Sequence, residues 1–290
     1  MFQFILSGWL YGASMVGAGD VIRHVPPEDR VDVRKQYFLD VLELALEKSK
    51  PAFGDYRLEQ SKTQVFQARA FKSLQQGQLD VVWSMTSKSR ETMARPIRIP
   101  LMKGLLGFRV LIVHKDKAEA FSEVRTLRDL AHFTAIQGHD WPDTRILRHN
   151  GLQVVSDSKY LAIFERLDHG RYDYFPRGIL EAWEELLSTR HKYLQVEPSL
   201  LLVYPAPVYF FVHKNDKRLA ERLTLGLNAA LNDGSFDSLL LNHPLHRKAF
   251  EALKDSPRRV LYLSNPLLSK ETPLDREDYW LSVETLLKTQ

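Results

Sequence analysis

The chain contains the same short phrase twice, and this repeat constrains its fold more than any other feature. Residues 74–83 read LQQGQLDVVW and residues 167–176 read LDHGRYDYFP. In both copies a helix-like run stops at Gly, an Asp follows three residues later, and a β-prone stretch comes next. Gly suits the left-handed position that ends a helix, and Val, Trp, Tyr and Phe suit a strand. The repeat therefore predicts two similar helix–turn–strand units in an α/β protein with two lobes, and a cleft between lobes is a common ligand site.

Composition narrows the range of functions. Of the 290 residues, 44% are hydrophobic and 26% are charged, which is typical of globular domains and not of disordered chains. The net charge of +4 is mild and the basic residues are scattered, so nucleic acid is not expected as a partner. The absence of cysteine excludes disulfides, thiol catalysis and cysteine-ligated metals. We expect a monomer without a cofactor.

The N-terminus carries a pattern typical of export signals. Residues 2–16 are apolar except for one Gln and two Ser, and VGA at 16–18 is a small-residue pattern that a signal peptidase could cut. The run is too short to span a membrane comfortably, so we expect a periplasmic protein whose mature chain does not insert into the membrane. No Lys or Arg precedes Arg23, unlike an ordinary export signal, and the alternatives are a buried first strand or a mis-assigned start.

The order of predicted elements divides the chain. FRVLIVH at 108–114 is a clear strand, and strand-like segments near 101–107 and 203–208 are placed to cross between lobes as a hinge. The predicted parts are an export signal at 1–18, a discontinuous first lobe at 19–104 and 207–290, and a continuous second lobe at 105–206.

The motifs in this order resemble a known family. They are GQLDVVWSMTSKSR at 77–90, TLRDL at 126–130, GRYDY at 170–174 and LNDGSFD at 231–237. Together they resemble the type II periplasmic solute-binding proteins, the polar amino-acid receptors of ABC transporters in solute-binding protein family 3. The resemblance covers residues 20–245 and leaves the C-terminal tail unexplained.

The resemblance implies a two-lobed, periplasmic-binding-protein-like II fold of the α/β class with two hinge crossings. It also implies reversible capture of a small polar solute in the interlobe cleft, for an ABC permease. A sensory module for a membrane signalling partner is the alternative within the binding class. A lyase or dehydratase on the same fold is the alternative from another class.

The first-lobe candidates for ligand binding lie at the ends of two predicted strands. The resemblance implies that the loop after the first repeat binds a ligand carboxylate, with Arg90 as its fork-shaped donor. An outer helix face is the alternative for Arg90, core packing is the alternative for Trp83, and a surface histidine is the alternative for His24. The set is His24, Trp83, Ser84, Met85, Thr86 and Arg90.

The second-lobe candidates lie in a turn and after the second repeat. Gly138, His139, Asp140 and Trp141 precede a helix, where backbone amides favour an anion, and a structural N-cap is the alternative. Arg177 stands where amino-acid receptors usually carry an acid for the ligand ammonium. Without such an acid, a carboxylate-bearing or otherwise anionic ligand is expected, with Glu181 or Glu184 as later sources of a carboxylate.

Signs of an enzyme are few. No Gly-rich phosphate loop, HExxH or GxSxG motif is present. His139 and Asp140 could pair for proton transfer, as a dehydratase would need. Asp80 and Asp173 recur with the repeat, so a structural role in the turn explains both better than paired catalysis.

Overall fold

The computed structural model describes residues 19–25, 34–61, 67–139, 141–254 and 257–288. The expected export signal at 1–18 and the candidate Asp140 lie outside the described residues. The strands are β1 Asp20–His24, β2 Tyr56–Gln60, β3 Val81–Met85, β4 Arg95–Ile97, β5 Phe108–His114, β6 Thr134–Gly138, β7 Gln153–Asp157, β8 Tyr174–Gly178, β9 Leu194–Val196, β10 Leu200–Val203, β11 Val208–Val212 and β12 Arg259–Tyr262.

Helices cover the strands on the parts of the chain that are described. They are α1 Arg34–Phe53, α2 Gln67–Gln75, α3 Lys88–Met93, α4 Ala118–Ser122, α5 Leu127–Leu130, α6 Pro142–His149, α7 Tyr160–Asp168, α8 Ala182–Thr189, α9 Lys217–Asn232, α10 Ser235–Asn242, α11 Pro244–Lys254 and α12 Val283–Lys288. Short 3₁₀ turns lie at Leu105–Gly107, Lys115–Lys117 and Glu277–Tyr279. The first crossing, expected to be strand-like, is instead a turn followed by the 3₁₀ turn Leu105–Gly107, because Gly104 adopts the left-handed conformation that ends an extended run.

The strands form two groups. In the first, β1 and β2 pair in parallel, and β11 lies antiparallel between β3 and β4. In the second, a larger sheet has the order β12-β10-β5-β8-β6-β7, with β9 paired to β5. We call the first group with its helices the first lobe and the second group the second lobe. The return of β11 to β3 and β4 makes the first lobe discontinuous in sequence.

The repeated phrase performs the same structural task twice. Gly77 and Gly170 have φ of +68° and +67°, the left-handed conformation that glycine adopts without strain. Asp80 then exchanges bonds with Arg23 in β1: its N–H donates to the Arg23 carbonyl (2.9 Å) and its Oδ2 accepts from the Arg23 N–H (2.7 Å). Asp173 makes the same pair of bonds with Thr134 in β6, at 2.9 and 2.7 Å. The structural role expected for both aspartates is what these contacts provide.

The C-terminal tail departs from its expected place. β12 pairs in parallel with β10, from Leu200 opposite Arg259 to Val203 opposite Tyr262. Residues 259–262 therefore belong to the second-lobe sheet, whereas the sequence placed everything after 207 in the first lobe. The physical reason is that β10 would otherwise present an unpaired edge, and an edge strand readily accepts a partner.

Helices α1 and α9 pack with almost no space between their backbones. A Cβ placed on Gly226 would lie 1.8 Å from the carbonyl oxygen of Ala45.

Substituting Gly226→Ala should therefore lower the free energy of unfolding by about 1–3 kcal/mol, the usual cost of overpacking, although Ala favours a helix by roughly 0.5–1 kcal/mol. Urea unfolding measures the difference. The exposed control on the same helix, Glu221→Ala, should stay within about 0.5 kcal/mol of the original chain, and a Gly226→Ala variant as stable as this control would contradict the close packing.

His246 in α11 is buried in a ring cluster with Tyr37, His243 and Phe250. Burial lowers the pKa of His246 to about 4, and the carbonyl of Leu240, 2.7 Å from Nδ1, opposes this shift. The unfolded chain then binds a proton near pH 6.5 that the folded chain refuses until about pH 4, so stability should fall as the pH drops through this window.

Replacing His246→Gln keeps a donor for the Leu240 carbonyl and removes the titration. Urea unfolding at about pH 7.5 and about pH 4.5 should show a smaller loss of stability for the variant than for the original chain, by up to roughly 3 kcal/mol at about 1.4 kcal/mol per pKa unit. Equal losses in the two proteins would show that His246 does not titrate in this window.

Candidate functional site

The first-lobe loop is built around the start of α3. Ser87 is the N-cap, and its Oγ accepts a hydrogen bond from the Arg90 N–H at 3.3 Å, which is the usual way a serine satisfies a helix start. Thr86 donates from Oγ1 to Glu91 (2.8 Å), and its N–H donates to the carbonyl of Pro207 (2.9 Å). The loop is therefore tied to residue 207 in the second predicted crossing.

Arg90 is half-buried at the carboxyl end of β3. Its guanidinium donates to the carbonyl of Met85 and lies 5.9 Å from the ring centre of Phe71. Burial lowers the pKa of Arg90 from its usual value. A guanidinium that has lost part of its hydration binds an anion more strongly than a fully solvated one, which is the property expected of a carboxylate anchor.

The other candidates on β1 and β3 do not share one face. Trp83 stacks on Phe38 with ring centres 5.8 Å apart. Ser84 points to the opposite side, as alternation along a strand requires, and its buried Oγ has no hydrogen-bond partner among the described residues. Met85 packs into a cluster of second-lobe residues, and His24 is buried with Nδ1 2.9 Å from the Val25 carbonyl.

In the second lobe, the turn before α6 is closed by an aromatic ring. Trp141 is the N-cap residue and Pro142 the first helical residue of α6. The indole lies directly on Gly138, where a Cβ would be 2.4 Å from Trp141 Cδ2. His139 is exposed, with Nδ1 3.2 Å from Ser156 Oγ. Gly138 is therefore needed because no larger residue fits beneath the indole.

Arg177 lies beside this turn and is bound to two carboxylates. Its Nε is 2.7 Å from Glu185 Oε2, its NH2 is 3.0 Å from Glu181 Oε2, and its Cζ lies 4.6 Å from the Trp141 ring centre. Burial alone would lower the pKa of Arg177, but Glu181 and Glu185 raise it above its usual value. Glu181, which the sequence left open as a later source of a carboxylate, pairs with Arg177. Glu184 instead pairs with Lys248 on the surface.

A second buried arginine was missed by the sequence analysis. Arg109 in β5 binds Asp143 (2.7 Å) and Glu181 (3.3 Å), and its Nε donates to the Tyr204 hydroxyl at 2.9 Å. The Tyr204 hydroxyl in turn donates to Asp143. The signal in the sequence was an arginine inside the otherwise apolar run FRVLIVH, since a charge in a buried strand requires partners of opposite charge.

The two halves of the candidate site meet at the second crossing. Tyr204 binds the second-lobe network, and Pro207, three residues later, binds Thr86 of the first-lobe loop.

The described residues contain no group of three or more His, Asp or Glu that could hold a metal ion. In the part of the chain that is described, no helix is long and apolar enough to cross a membrane. The geometry offers a desolvated arginine on one lobe and an aromatic wall on the other.

Comparison with known proteins shows which fold this is. No protein-family model and no curated protein matches the chain. Among solved structures, the probable amino-acid ABC transporter extracellular-binding protein ytmK from Bacillus subtilis matches with a TM-score of 0.57 and 15% identity, over 77% of this chain and 96% of that one. An ancestral arginine-binding protein bound to arginine matches with a TM-score of 0.51 and 16% identity, over 76% and 96%.

A third match has a different history. The ancestral amino acid-binding protein AncCDT-1, a precursor of cyclohexadienyl dehydratase, matches with a TM-score of 0.51 and 15% identity, over 76% of this chain and 92% of that one. At these identities the likeness establishes the fold. The expected α/β fold of two-lobed periplasmic binding proteins is confirmed, and all three matching structures are described as binding proteins.

The Arg109 network makes a sharp prediction about stability. Replacing Arg109→Met removes one cation and leaves the carboxylates of Asp143 and Glu181 buried with one partner fewer. Breaking a buried ion pair in this way costs about 3–5 kcal/mol, so the urea midpoint should fall strongly. The exposed control Arg125→Met should change stability by no more than about 0.5 kcal/mol. If both variants unfold at the same urea concentration, the network contributes nothing.

Proposed function

We propose that the chain is an extracytoplasmic solute-binding protein that captures a small polar solute between its lobes and delivers it to an ABC permease. The observation that carries this proposal is the convergence of both half-sites on residues 204–207, through Tyr204 bound to one lobe and Pro207 bound to the other. A ligand placed between these halves would contact both lobes at the crossing, where a change of interlobe angle begins. No chemical step is part of this function.

The structural matches support the same class of ligand. One matching protein is described as an amino-acid ABC transporter extracellular-binding protein and another as bound to arginine. Both are covered almost completely by this chain, at 96% of their length. We infer an extracytoplasmic location for this chain as well, with residues 1–18 as the export signal.

We assign the carboxylate of the solute to Arg90. Arg90 is the third residue of α3, and its partly desolvated guanidinium donates a hydrogen bond to the Met85 carbonyl. Arg177 is a weaker anchor for an anion than the sequence suggested, because Glu181 and Glu185 already neutralise it. The proposed ligand therefore carries one carboxylate for the first lobe, and a second anionic group has no anchor of its own at Arg177.

The remaining candidates form the surroundings of the solute in this proposal. Trp141, fixed between Gly138 and Arg177, presents an indole that can cover the ligand. Trp83, Thr86 and the exposed His139 complete the polar and aromatic lining. Contacts from both lobes favour the closed arrangement, so binding shifts the lobes toward closure by its differential affinity.

Replacing Arg90→Ala should weaken solute binding by roughly ten- to a hundredfold, since a charge-assisted hydrogen bond contributes roughly 1.5–3 kcal/mol and about 1.4 kcal/mol is a factor of ten. The solute is found first, by mass spectrometry of small molecules that co-purify with the folded chain and by thermal shift against free amino acids and small dicarboxylic acids. Calorimetry with that solute then measures the dissociation constant.

The control is Arg95→Ala, which removes an arginine in β4 whose Nε donates to the Lys214 carbonyl away from the loop. It should bind as tightly as the original chain. Equal affinities for Arg90→Ala and the original chain would exclude Arg90 as the anchor. Failure of any solute of these classes to stabilise the chain would count against the binding function itself.

A further inference from the structure

The C-terminal segment does more than cover a surface, because it touches both lobes in succession. After β12 has paired with β10 in the second lobe, the chain returns to the first lobe within a few residues. The carbonyl of Leu267 there accepts a hydrogen bond from the Lys88 N–H at 3.1 Å. Lys88 is the first residue of α3, beside the candidate carboxylate loop. This passage is a third connection between lobes, in addition to the two expected crossings.

The segment binds the second crossing on its way. The Leu263 N–H donates to the carbonyl of Val203 (2.8 Å), which ends β10. Asn265 then donates from its side-chain amide to the carbonyl of Pro205 at 2.7 Å. Pro205 lies between Tyr204 and the start of β11, so the backbone of this crossing is held from outside.

The same segment also binds the first crossing. The Leu281 N–H donates to the Lys103 carbonyl at 2.8 Å. Trp280 lies against Gly104, where a Cβ would be 2.8 Å from Trp280 Cε3, and its indole N–H donates to Pro273 at 2.8 Å. Lys103 and Gly104 both have positive φ, at +44° and +83°. The indole therefore packs on a backbone that has adopted an uncommon conformation.

The two crossings are already in close contact with each other. The Tyr204 N–H donates to the Gly107 carbonyl at 3.2 Å, and a Cβ on Gly107 would be 1.7 Å from the Tyr204 carbonyl oxygen. A hinge works by changes of φ and ψ at a few such residues. A chain that is hydrogen-bonded to both crossings and to both lobes opposes those changes.

We propose that residues 259–281 form a clamp that restricts the interlobe angle. The clamp joins the edge of the second-lobe sheet, both crossings and the first turn of α3 in one continuous run of contacts. Opening of the lobes requires the Trp280 and Asn265 contacts to break or to move with the hinge. The solute-free chain therefore occupies one narrow range of interlobe angles, and loss of these contacts widens that range.

The test is a distance measurement between lobes. The chain has no cysteine, so the substitutions Lys72→Cys in α2 and Glu165→Cys in α7, both at exposed positions, provide the only two attachment sites for spin labels. Bound solute is removed by unfolding in urea and refolding. Pulsed electron paramagnetic resonance should then give one narrow distance distribution for the chain with an intact clamp. Trp280→Ala and Asn265→Ala should each broaden the distribution and add longer distances.

The matched control is Leu274→Ala, in the same segment, whose side chain is 54% exposed and should leave the distribution unchanged. A broad or double distribution for the intact chain overturns the clamp without any variant. Distributions for Trp280→Ala and Asn265→Ala as narrow as that of the control overturn it too. Should Trp280→Ala fail to fold, Asn265→Ala decides alone, because it loses only two side-chain hydrogen bonds, to the Pro205 carbonyl and from the Leu267 N–H. The outcome does not depend on the identity of the solute.

Discussion

The Arg109 guanidinium lies in β5, a strand buried at all but its last residue, and binds Asp143, Glu181 and Tyr204. An unpaired charge at this place would cost several kcal/mol. The position of each partner residue relative to Arg109 is therefore tightly constrained. Asp143 comes from the first turn of α6 and Glu181 from the residue before α8. The requirement for these partners orients two helix starts, and with them the turn at Trp141 and the neighbouring Arg177.

The same network reaches the hinge. Tyr204 belongs to the second crossing, and its backbone lies against Gly107 of the first crossing. The ion pairs of the second lobe, the contact between crossings and the C-terminal segment therefore share a few residues. A change of interlobe angle at this point would therefore displace the second-lobe residues that line the cleft, such as Trp141 and Arg177. Under the proposed function, these packed contacts would couple capture of a solute to lobe movement.

Sequence reasoning worked well where the signal was local. The glycines of the repeat adopt the left-handed conformation, and each aspartate makes the same pair of bonds with the backbone of another strand, Asp80 with Arg23 in β1 and Asp173 with Thr134 in β6. It worked less well for the site. Ser84 and Trp83 are adjacent in sequence but point to opposite faces of β3. Glu185 was missed as a partner of Arg177 because it lies in a helix whose rotation relative to β8 the sequence does not specify.

The sequence by itself determined the repeated helix–turn–strand units, the α/β class and the helix that follows residues 138–141, because each depends on residues within one or two turns of chain. It located the first crossing but not its conformation, which is a turn and a 3₁₀ helix and not a strand. Only the tertiary structure decided which carboxylates neutralise Arg109 and Arg177, and that the tail enters the second-lobe sheet as β12. Those outcomes join segments far apart in sequence, such as Arg109 with Asp143 and Val203 with Tyr262. A single sequence shows that a buried charge or an edge strand requires a partner. The packing of the sheets and helices decides which residue becomes that partner.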